Sequence, residues 1–370
     1  MSPPLKILST SYSKTEGFSD PDAWLERINF YTGLLEELAK NHTVISIERI
    51  DHEGVYKRNG VEYWFIDLKK KLSRFPWRMH KRIKAARPDV MLVNGLIFPL
   101  QLIQLRYAVG KAVKIIVLHR AEKPFKGVKR HLQKLADNYV DAYLFTAAEF
   151  AKEWERNITV SNIHQVVQAS SHFKAADRTI AKMITGVEGE PIFLWVGNLI
   201  ERKDPLTVVK AFTEFLTHQP GARLYMIWQS GELLPAVKKM VEGVEQVRLV
   251  GKVEHNELEH WYNSADFIIS GSHHEGSGIA IIEAMSCGCI PILTAIPSFK
   301  QMTAQGSCGL MYEPGNENEL LRLLLKTGQM DREKERKKTL QQFAEDLSFA
   351  AIARKIETVI SLTENNDKRK

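Results

Sequence analysis

Two glutamates eight residues apart stand out in the stretch HHEGSGIAIIEAMSCGCIP, which begins at His273 and ends at Pro291. Glu275 stands beside glycines, whereas Glu283 is the single charge in an otherwise apolar run. That run predicts a helix whose start is formed by Gly276, Ser277 and Gly278. Free N–H groups and the dipole at a helix start attract anions, and glycines let a phosphate approach the backbone closely. The pattern therefore predicts a phosphate site between the two carboxylates.

The position of Glu283 inside the predicted helix calls for hydrogen-bond donors, because a buried carboxylate without them costs several kcal/mol. Glu283 lies about 1.5 turns, or roughly 7.5 Å, along the helix axis from the anion site. A ligand with phosphates at the helix start would place ribose hydroxyls beside it. Two alternatives stay open: Glu283 faces solvent, and Glu275 is a partner of the helix dipole rather than of a sugar.

A second basic loop follows a predicted strand in FLWVGNLIERKDP, residues 193–205. Arg202 and Lys203 precede a helix whose start is marked by Asp204 and Pro205. This loop and the HEGSG loop both end strands of one predicted parallel sheet. They would therefore meet at the same edge and hold one diphosphate from two sides. The alternative interpretation is an ordinary pair of surface cations.

Short apolar runs alternate with longer amphipathic runs along the chain. Runs that are apolar throughout are typical of strands covered on both faces, and repeated β–α alternation predicts doubly wound parallel sheets. The predicted strands begin at Lys6, Thr43, Val61, Asp89, Lys114, Ala142, Ile163, Pro191, Ala222, Val247, Ala265, Cys289 and Gly309. The predicted fold class is α/β with two Rossmann-like domains, and a ligand is expected in the cleft between them.

The polar stretch from Ala175 to Pro191 has no strand signal and is interpreted as a domain linker. We predict an N-terminal Rossmann-like domain at 1–178, a C-terminal Rossmann-like domain at 190–346 and a C-terminal helix at 347–364. Packing of that helix back on the first domain is one arrangement open to it. A single helix is predicted from Trp24 to Lys40.

The composition is that of a soluble globular protein, with 44% hydrophobic and 26% charged residues in a chain of 370. No signal-peptide pattern and no clean run of about 20 apolar residues is present, so we expect neither secretion nor a membrane span. The three cysteines do not make a disulfide framework and are predicted to be buried core residues in a reducing cytosol. They are Cys287, Cys289 and Cys308.

The net charge of +7 is unevenly distributed, since residues 1–178 hold 29 basic and 19 acidic residues and residues 179–370 hold 22 and 25. Much of the excess lies in KKKLSRFPWRMHKRIKAARP, residues 69–88. This segment suits a solvated helix face with Trp77 and Ile83 turned to the core, an anionic membrane surface or, least of the three, nucleic acid. The candidate cations are Lys69, Lys70, Lys71, Arg74, Arg78, Lys81 and Arg82.

Four motifs in order along the chain resemble those of retaining GT-B glycosyltransferases of family 4. They are VGNLIERKDP, RLVGKVEHNEL, HEGSGIAIIEAMSCGCIPI, which is similar to the E-x7-E signature, and CGLMYEPGNENEL. The resemblance is strong over about 190–345 and mostly architectural over 1–178, where IIVLHRAEKPFKG matches best. It implies the GT-B architecture, with two Rossmann-like domains whose parallel sheets face across a cleft. It also implies no metal and no other cofactor, because the nucleotide-sugar is a substrate.

The resemblance implies roles for the charged residues of the second half. Lys203 would bind the donor diphosphate, with help from Arg202, and Glu275 would contact the donor sugar. Glu283 would hold the ribose. Asn198 stands where many family members have arginine, so among the donor-binding residues Lys203 and Arg202 would carry most of the cationic work.

The resemblance also implies contacts made by smaller or more distant residues. The N–H groups of the helix start would bind phosphate and sugar hydroxyls, and Val253 would touch the base through its backbone. His119 resembles the histidine that faces the donor sugar across the cleft, with a packed loop histidine as the alternative. Many members have a double-glycine loop after the first strand, where this chain has only Gly17, and that loop normally approaches the acceptor.

The implied reaction is transfer of a sugar, with retention, from a UDP- or GDP-sugar to a hydroxyl of a glycan or lipid-linked acceptor. Cell-surface polysaccharide or lipopolysaccharide synthesis, by a cytoplasmic enzyme at the inner face of the plasma membrane, would suit it. Two alternatives remain: a nucleotide-sugar 2-epimerase of the same two-domain fold, and a non-catalytic nucleotide-sugar or nucleic-acid binding protein. The D-x-D at Asp20–Asp22 is interpreted as a helix cap rather than a metal site.

Overall fold

A computed structural model describes residues 3–68 and 73–367 of the chain. The chain divides into two compact units. Unit 1 consists of Met1–Ser170 and Phe349–Lys370, and unit 2 of Ser171–Ser348. In the described part of the chain, no helix combines the length and the apolar character needed to cross a bilayer.

Unit 1 is built on an eight-stranded sheet in the order β3-β4-β2-β1-β5-β6-β7-β8. Its strands are β1 Lys6–Ser11, β2 Thr43–Glu48, β3 Gly54–Arg58, β4 Val61–Phe65, β5 Val90–Asn94, β6 Lys114–Leu118, β7 Ala142–Phe145 and β8 Ile163–Gln165. Strands β5, β6 and β7 are buried along their whole length, as expected for central strands covered on both faces. All neighbouring strands pair in parallel except β3 and β4. The predicted parallel α/β sheet is therefore confirmed, with one antiparallel pair as the exception.

That exception is a hairpin which the sequence interpretation missed. Strand β3 runs antiparallel to β4 and is joined to it by Asn59 and Gly60, both with positive φ (48° and 82°). An Asn-Gly pair is the usual signal for such a two-residue turn. Alternate residues of β3 are exposed, so the strand has no long apolar run and an apolar pattern alone does not reveal it.

The helices of unit 1 cover both faces of its sheet. They are α1 Pro21–Arg27, α2 Asn29–Leu38, α3 Trp77–Ala86, α4 Pro99–Val109, α5 Val128–Asp137, α6 Ala148–Lys152 and α15 Phe349–Asp367. The single helix predicted from Trp24 to Lys40 is wrong, because the chain leaves helical geometry at Ile28. Because parallel crossovers are right-handed, α3, α4 and α5 lie side by side on one face, and α2 lies on the other with α15 packed against it.

Unit 2 is built on a six-stranded parallel sheet in the order β11-β10-β9-β12-β13-β14. Its strands are β9 Ile192–Val196, β10 Arg223–Ile227, β11 Val247–Gly251, β12 Phe267–Ser270, β13 Ile290–Thr294 and β14 Leu310–Tyr312. The order changes direction between β9 and β12. In a doubly wound sheet, such a switch point opens a crevice at the carboxyl ends of the strands, and ligands bind there.

Eight α-helices belong to the described residues of unit 2. They are α7 Arg178–Thr185, α8 Pro205–Phe215, α9 Leu234–Met240, α10 Leu258–Ser264, α11 Ile279–Ser286, α12 Pro297–Met302, α13 Glu317–Thr327 and α14 Arg332–Gln342. The stretch interpreted as a linker instead contains α7, which Asp177 caps by accepting a hydrogen bond from Ile180 N at 3.0 Å. The division between the units falls at Ser170/Ser171, upstream of the predicted linker. Helix α7 packs against α10 and is part of unit 2.

A buried carboxylate joins α7 and α14 to the sheet of unit 2. Asp266, at the start of β12, accepts hydrogen bonds from Arg178 at 2.5 Å, from Arg332 at 3.2 Å and from Ile192 N at 2.8 Å. Burial alone would raise the pKa of Asp266, but the hydrogen bond and charge of Arg178, with Ile192 N and Arg332, hold it below its usual value.

Candidate nucleotide-sugar site

The basic loop after β9 is shaped by tight packing. Residues 201–203 form a turn of 3-10 helix, and Asp204 then caps α8 in the left-handed region (φ 41°) by accepting from Thr207 N at 3.2 Å. A Cβ on Gly197 would lie 3.6 Å from the side chain of Lys203. The lysine side chain therefore lies back across the carboxyl end of β9.

The loop after β12 is bound directly to this basic loop. His273 N donates to Arg202 O at 2.9 Å, and its ring lies 3.1 Å from Asp204 Oδ2. A Cβ on Gly271 would come within 2.6 Å of Asp204 O, so glycine is needed for the close approach. The two loops thus meet at the switch point of the sheet, as the sequence predicts for a site formed from both.

At that meeting point Glu275 is surrounded by the two cations of the basic loop. Its Oε1 lies 2.5 Å from Lys203 Nζ and 3.3 Å from Arg202 Nη1, and the residue is only 7% exposed. Arg202 also donates to His274 O at 2.7 Å. The structure therefore brings Glu275, Lys203 and Arg202 together. A diphosphate bound at Lys203 would compete with Glu275 for the ammonium group.

The helix start predicted from residues 276–278 is present in the structure. Gly276, Ser277 and Gly278 are half-buried, and Gly278 is the N-cap residue of α11 with φ +53°. A Cβ there would meet Phe299 Cε1 at 2.9 Å, which excludes larger residues. Since glycine has no side chain to cap the helix, the first N–H groups of α11 remain available to an anion.

Glu283 is buried on α11 and has two side-chain partners. Its Oε1 lies 2.7 Å from His255 Nε2, and its Oε2 accepts a hydrogen bond from Tyr262 OH at 3.0 Å. The alternative that Glu283 faces solvent is wrong, because it is only 5% exposed. Burial, followed by the charge of Glu283, raises the pKa of Tyr262 well above its usual value, so this hydroxyl remains a proton donor.

A cavity of about 410 Å³ opens beside this carboxylate, at the carboxyl ends of β9, β10 and β11. Apolar side chains and backbone make up much of its lining, and His255 links it to Glu283. Asn198 and Val253, both predicted donor-binding residues, line the cavity. Its lining consists of Val196, Gly197, Asn198, Ile227, Trp228, Gln229, Lys252, Val253, Glu254, His255 and Leu258.

His255 and Tyr262 are site residues that the sequence interpretation missed. They come from the segment just after β11 and from α10, about 20 to 30 residues before Glu283. A signal was present in RLVGKVEHNEL, whose histidine follows a predicted base-binding turn. Nothing in the spacing, however, indicates which carboxylate that histidine meets.

The structure places His119 in unit 1, directly after β6, in an aromatic environment. Its ring stacks on Phe145 at 4.5 Å, lies 5.7 Å from Trp154 and is 5% exposed. Nε2 lies 3.0 Å from Glu122 O. These contacts match the alternative of a packed loop histidine, and a role toward the donor sugar stays a prediction.

The predicted acceptor and membrane residues lie on exposed parts of unit 1. Gly17 has φ +83° and donates its N–H to Asp51 Oδ2 at 2.6 Å. Arg74, Arg78 and Lys81 are exposed, and Arg82 lies over the ring of Trp64 at 4.1 Å. Lys69, Lys70 and Lys71 lie outside the described residues.

Two smaller predictions concern the D-x-D and the cysteines. Asp20 caps α1 by accepting from Asp22 N at 2.9 Å, with Pro21 at the first helical position, which confirms capping. The three cysteines are free and buried, as predicted. Among the described residues, no group of three or more His, Cys, Asp or Glu side chains is arranged to hold a metal ion.

Sequence comparison finds a family match within unit 2 and relatives that match part of the chain. Residues 177–345 match the family model described as glycosyl transferases group 1. This chain is 40% identical to GDP-mannose:cellobiosyl-diphosphopolyprenol alpha-mannosyltransferase of Komagataeibacter xylinus over 75 residues, which is 20% of the chain. Over 159 residues, 39% of the chain, it is 24% identical to D-inositol 3-phosphate glycosyltransferase 2 of Catenulispora acidiphila. These matches span only 19% and 37% of the relatives' own lengths.

Comparison of folds covers nearly the whole chain. A glycosyltransferase of Rickettsia africae superposes with a TM-score of 0.73 at 14% identity, over 98% of this chain and 99% of that one. Identity this low shows the fold alone, and that fold is the GT-B fold of two parallel-sheet α/β domains. Residues 177–345, which carry both loops of unit 2, thus match the glycosyl transferases group 1 within a chain of the GT-B fold.

Proposed function

We propose that the protein transfers a sugar from a nucleoside-diphosphate sugar to a hydroxyl group of a glycan or lipid-linked acceptor, with retention at the anomeric carbon. The observation that carries this proposal is the arrangement at the switch point of unit 2. Lys203, Arg202 and the start of α11 converge there, beside a cavity that ends at the buried Glu283.

Each chemical part of the donor binds a different part of this site. The base enters the cavity beside Val253, the ribose hydroxyls reach Glu283, and the diphosphate lies between Lys203 and the N–H groups of residues 276–278. Glu283 is already bound to His255, which is half-exposed at the cavity wall, so a ribose hydroxyl joins or replaces that histidine. Hydrogen bonds to a carboxylate are worth about 1.5–3 kcal/mol each.

Catalysis is explained by the negative charge that develops on the diphosphate as its bond to the anomeric carbon breaks. The leaving diphosphate gains negative charge beside the ammonium of Lys203, the guanidinium of Arg202 and the positive end of α11. Such preorganised electrostatic stabilisation usually contributes most to catalysis. Glu275, held by both cations, orients them and accepts hydrogen bonds from the donor sugar as the diphosphate takes over Lys203. The phosphate site needs no metal ion, because protein cations supply its charge.

The proposed acceptor is supported by features of unit 1 and by the names of the relatives. The Komagataeibacter protein is named for a GDP-mannose donor and a diphosphopolyprenol-linked acceptor. A lipid-linked acceptor of this kind would bring the protein to the inner face of the plasma membrane in polysaccharide or lipopolysaccharide synthesis. The basic residues around Arg74 and Arg78, and the loop of Gly17, lie on the acceptor-side unit.

The proposal is tested by the change Lys203→Met. A thermal-shift panel of UDP- and GDP-sugars first identifies the donor, and transfer to an acceptor extract is then measured with that donor. Loss of the ammonium should lower kcat by about a hundredfold, because one preorganised group is removed from the leaving charge. Lys210→Met, the same change at an exposed lysine on α8 that pairs with Glu317, is the control.

Three results would contradict the proposal. Equal affinity of Lys203→Met and the unchanged protein for every UDP- and GDP-sugar would show that the site is wrong. Conversion of the donor sugar without any acceptor would indicate a 2-epimerase instead. Indifference to all nucleotide-sugars, with strongly salt-dependent binding of nucleic acid, would indicate a binding protein.

A further inference from the structure

The basic excess of this chain is concentrated in one segment of unit 1, which contains three adjacent helices and the loops that join them. Residues 73–137, which include α3, α4 and α5, contain 15 Lys and Arg but only 3 Asp and Glu, a net charge of +12. The whole chain has a net charge of +7, so the remainder is net acidic. The excess that the sequence interpretation assigned to residues 69–88 thus continues to α5, whereas the one cation of α4, Arg106, is buried and paired with Asp141.

The topology places these three helices on one face of the sheet. The connections from β4 to β5, β5 to β6 and β6 to β7 all cross in the same direction, so right-handed crossovers carry α3, α4 and α5 to the same side. Helix α4 contacts α3 on one side and α5 on the other. All three helices begin at the carboxyl edge of the sheet.

Exposed apolar side chains lie at these three helix starts. Phe75 and Trp77, at the start of α3, are 49% and 62% exposed. Ile97, before α4, is 37% exposed, and Val128, the first residue of α5, is 87% exposed. Burial of Ile83 confirms that α3 turns an apolar side inward, but Trp77 does not belong to it. We name Phe75, Trp77, Ile97 and Val128 the apolar rim.

The rim segments are held together by side-chain amides. Gln104 of α4 donates to Arg74 O at 3.2 Å, and Gln101 donates to Ser73 O at 3.0 Å. Gln133 of α5 donates to Leu96 O at 3.2 Å and accepts from Phe125 N at 2.9 Å. Each helix start is therefore fixed to the next, and the rim is a built surface rather than separate loops.

Exposed cations flank this rim at both ends. Arg74 and Arg78 accompany Phe75 and Trp77, while Lys126 and Lys129 accompany Val128. None of these four forms an ion pair with a carboxylate among residues 3–68 and 73–367. Exposed apolar residues interleaved with unpaired cations are typical of surfaces that insert shallowly into an anionic lipid interface.

We infer that the apolar rim and the α3–α5 face dock on an anionic phospholipid bilayer, with Trp77 and Val128 inserted at the level of the head groups. Charge complementarity selects this occupant, since α3, α5 and the segments before them carry exposed cations and the rim is apolar. Nucleic acid would use the cations but not the rim. The inference is independent of the transfer reaction, because it concerns binding to vesicles that contain no acceptor.

The experiment is sedimentation of the full chain with vesicles of phosphatidylcholine alone or with phosphatidylglycerol added. The unchanged protein should sediment with the anionic vesicles only. Lys126→Glu combined with Lys129→Glu should lower partitioning at least about 25-fold, since each cation near the surface contributes about a fivefold factor. The same change at Lys238 and Lys239, exposed on α9 of unit 2, is the matched control and should leave partitioning unchanged.

A second pair of variants tests the rim itself. Trp77→Ser with Val128→Ser should weaken vesicle binding, whereas Ile180→Ser with Met183→Ser, on the exposed side of α7, should not. Trp77 is the one exposed tryptophan in the described part of the chain, so brominated lipids should quench fluorescence that is lost in Trp77→Phe. Equal binding by all variants would overturn the inference. Binding to DNA as strong as to vesicles, unaffected by the serine changes, would overturn it as well.

Discussion

Glu283 is a carboxylate whose environment explains its place in an apolar helix. Its two oxygens are bound to His255 and Tyr262, so the free-energy cost of burying it is offset by two donors. Tyr262 is fully buried and fixed, whereas the imidazole of His255 is half-exposed at the cavity. A ligand can therefore replace the histidine without breaking the packing of the helix.

We predict that Glu283→Gln weakens binding of the donor nucleotide about 10-fold to 150-fold. The amide keeps the shape of the side chain but loses the charge that strengthens each bond from a ribose hydroxyl, a loss of about 1.5–3 kcal/mol. Titration calorimetry with the preferred nucleoside diphosphate measures it. Glu257→Gln, at an exposed carboxylate near His255, serves as the control, and an equal loss in both variants would refute a specific role for Glu283.

Most of the candidate site is predictable from residue types alone. Glycines, cations and a carboxylate at the ends of two parallel strands indicate a phosphate site, because strand ends meet at one edge. Pairing within the site is not predictable. Lys203 forms an ion pair with Glu275, and His255 pairs with Glu283, through contacts between residues 72 and 28 positions apart in sequence. Such pairings depend on how two loops pack, as at Gly271 and Asp204.

Among the elements, α7 shows how a polar stretch is drawn into a folded unit. Only Ala181 of this helix is buried, so its sequence resembles a linker. Its attachment comes from Arg178, which reaches the buried Asp266, and from packing against α10. The β3–β4 hairpin was missed for a related reason, since an edge strand with alternate exposed residues lacks the apolar run of a central strand.

The Asp266 cluster makes a pH-dependent contribution to stability. Its pKa is held below the value of about 3.9 that an unfolded chain would show, so its stabilisation is full above that value and is lost as the pH falls through the folded pKa. Asp266→Asn should lower the free energy of unfolding at neutral pH and flatten its decline below about pH 4. Urea unfolding of unit 2 across that range measures the effect. An unchanged acid slope would contradict it.

At the scale of the whole molecule, helix α15 completes unit 1 from the far end of the sequence. Helix α15 belongs to unit 1 although unit 2 precedes it in sequence. It packs against α2, buries Ile352, Ile356 and Ile360 almost completely, and pairs Glu357 with His42 at 3.1 Å. A terminal amphipathic helix is predictable from the sequence. The unit it completes is not, because periodicity does not say which partner covers an apolar side.

We predict that truncation after Ser348 destabilises unit 1 far more than unit 2. Three fully buried isoleucines, each worth about 1.5–3 kcal/mol, would be lost and the surface of α2 exposed. Limited proteolysis followed by mass spectrometry should show cleavage of unit 1 and survival of unit 2. Removal of residues 368–370 alone is the control, and equal resistance of unit 1 in both truncated chains would contradict the prediction.

The return of α15 also sets an order for synthesis on the ribosome. Every residue of unit 2 has been added to the chain by Ser348, whereas unit 1 awaits α15, which is made afterwards. The unit that begins second is therefore the first that can be complete. Until α15 emerges, the nascent chain contains a complete unit 2 and an unfinished unit 1, whose α2 surface stays accessible to chaperones.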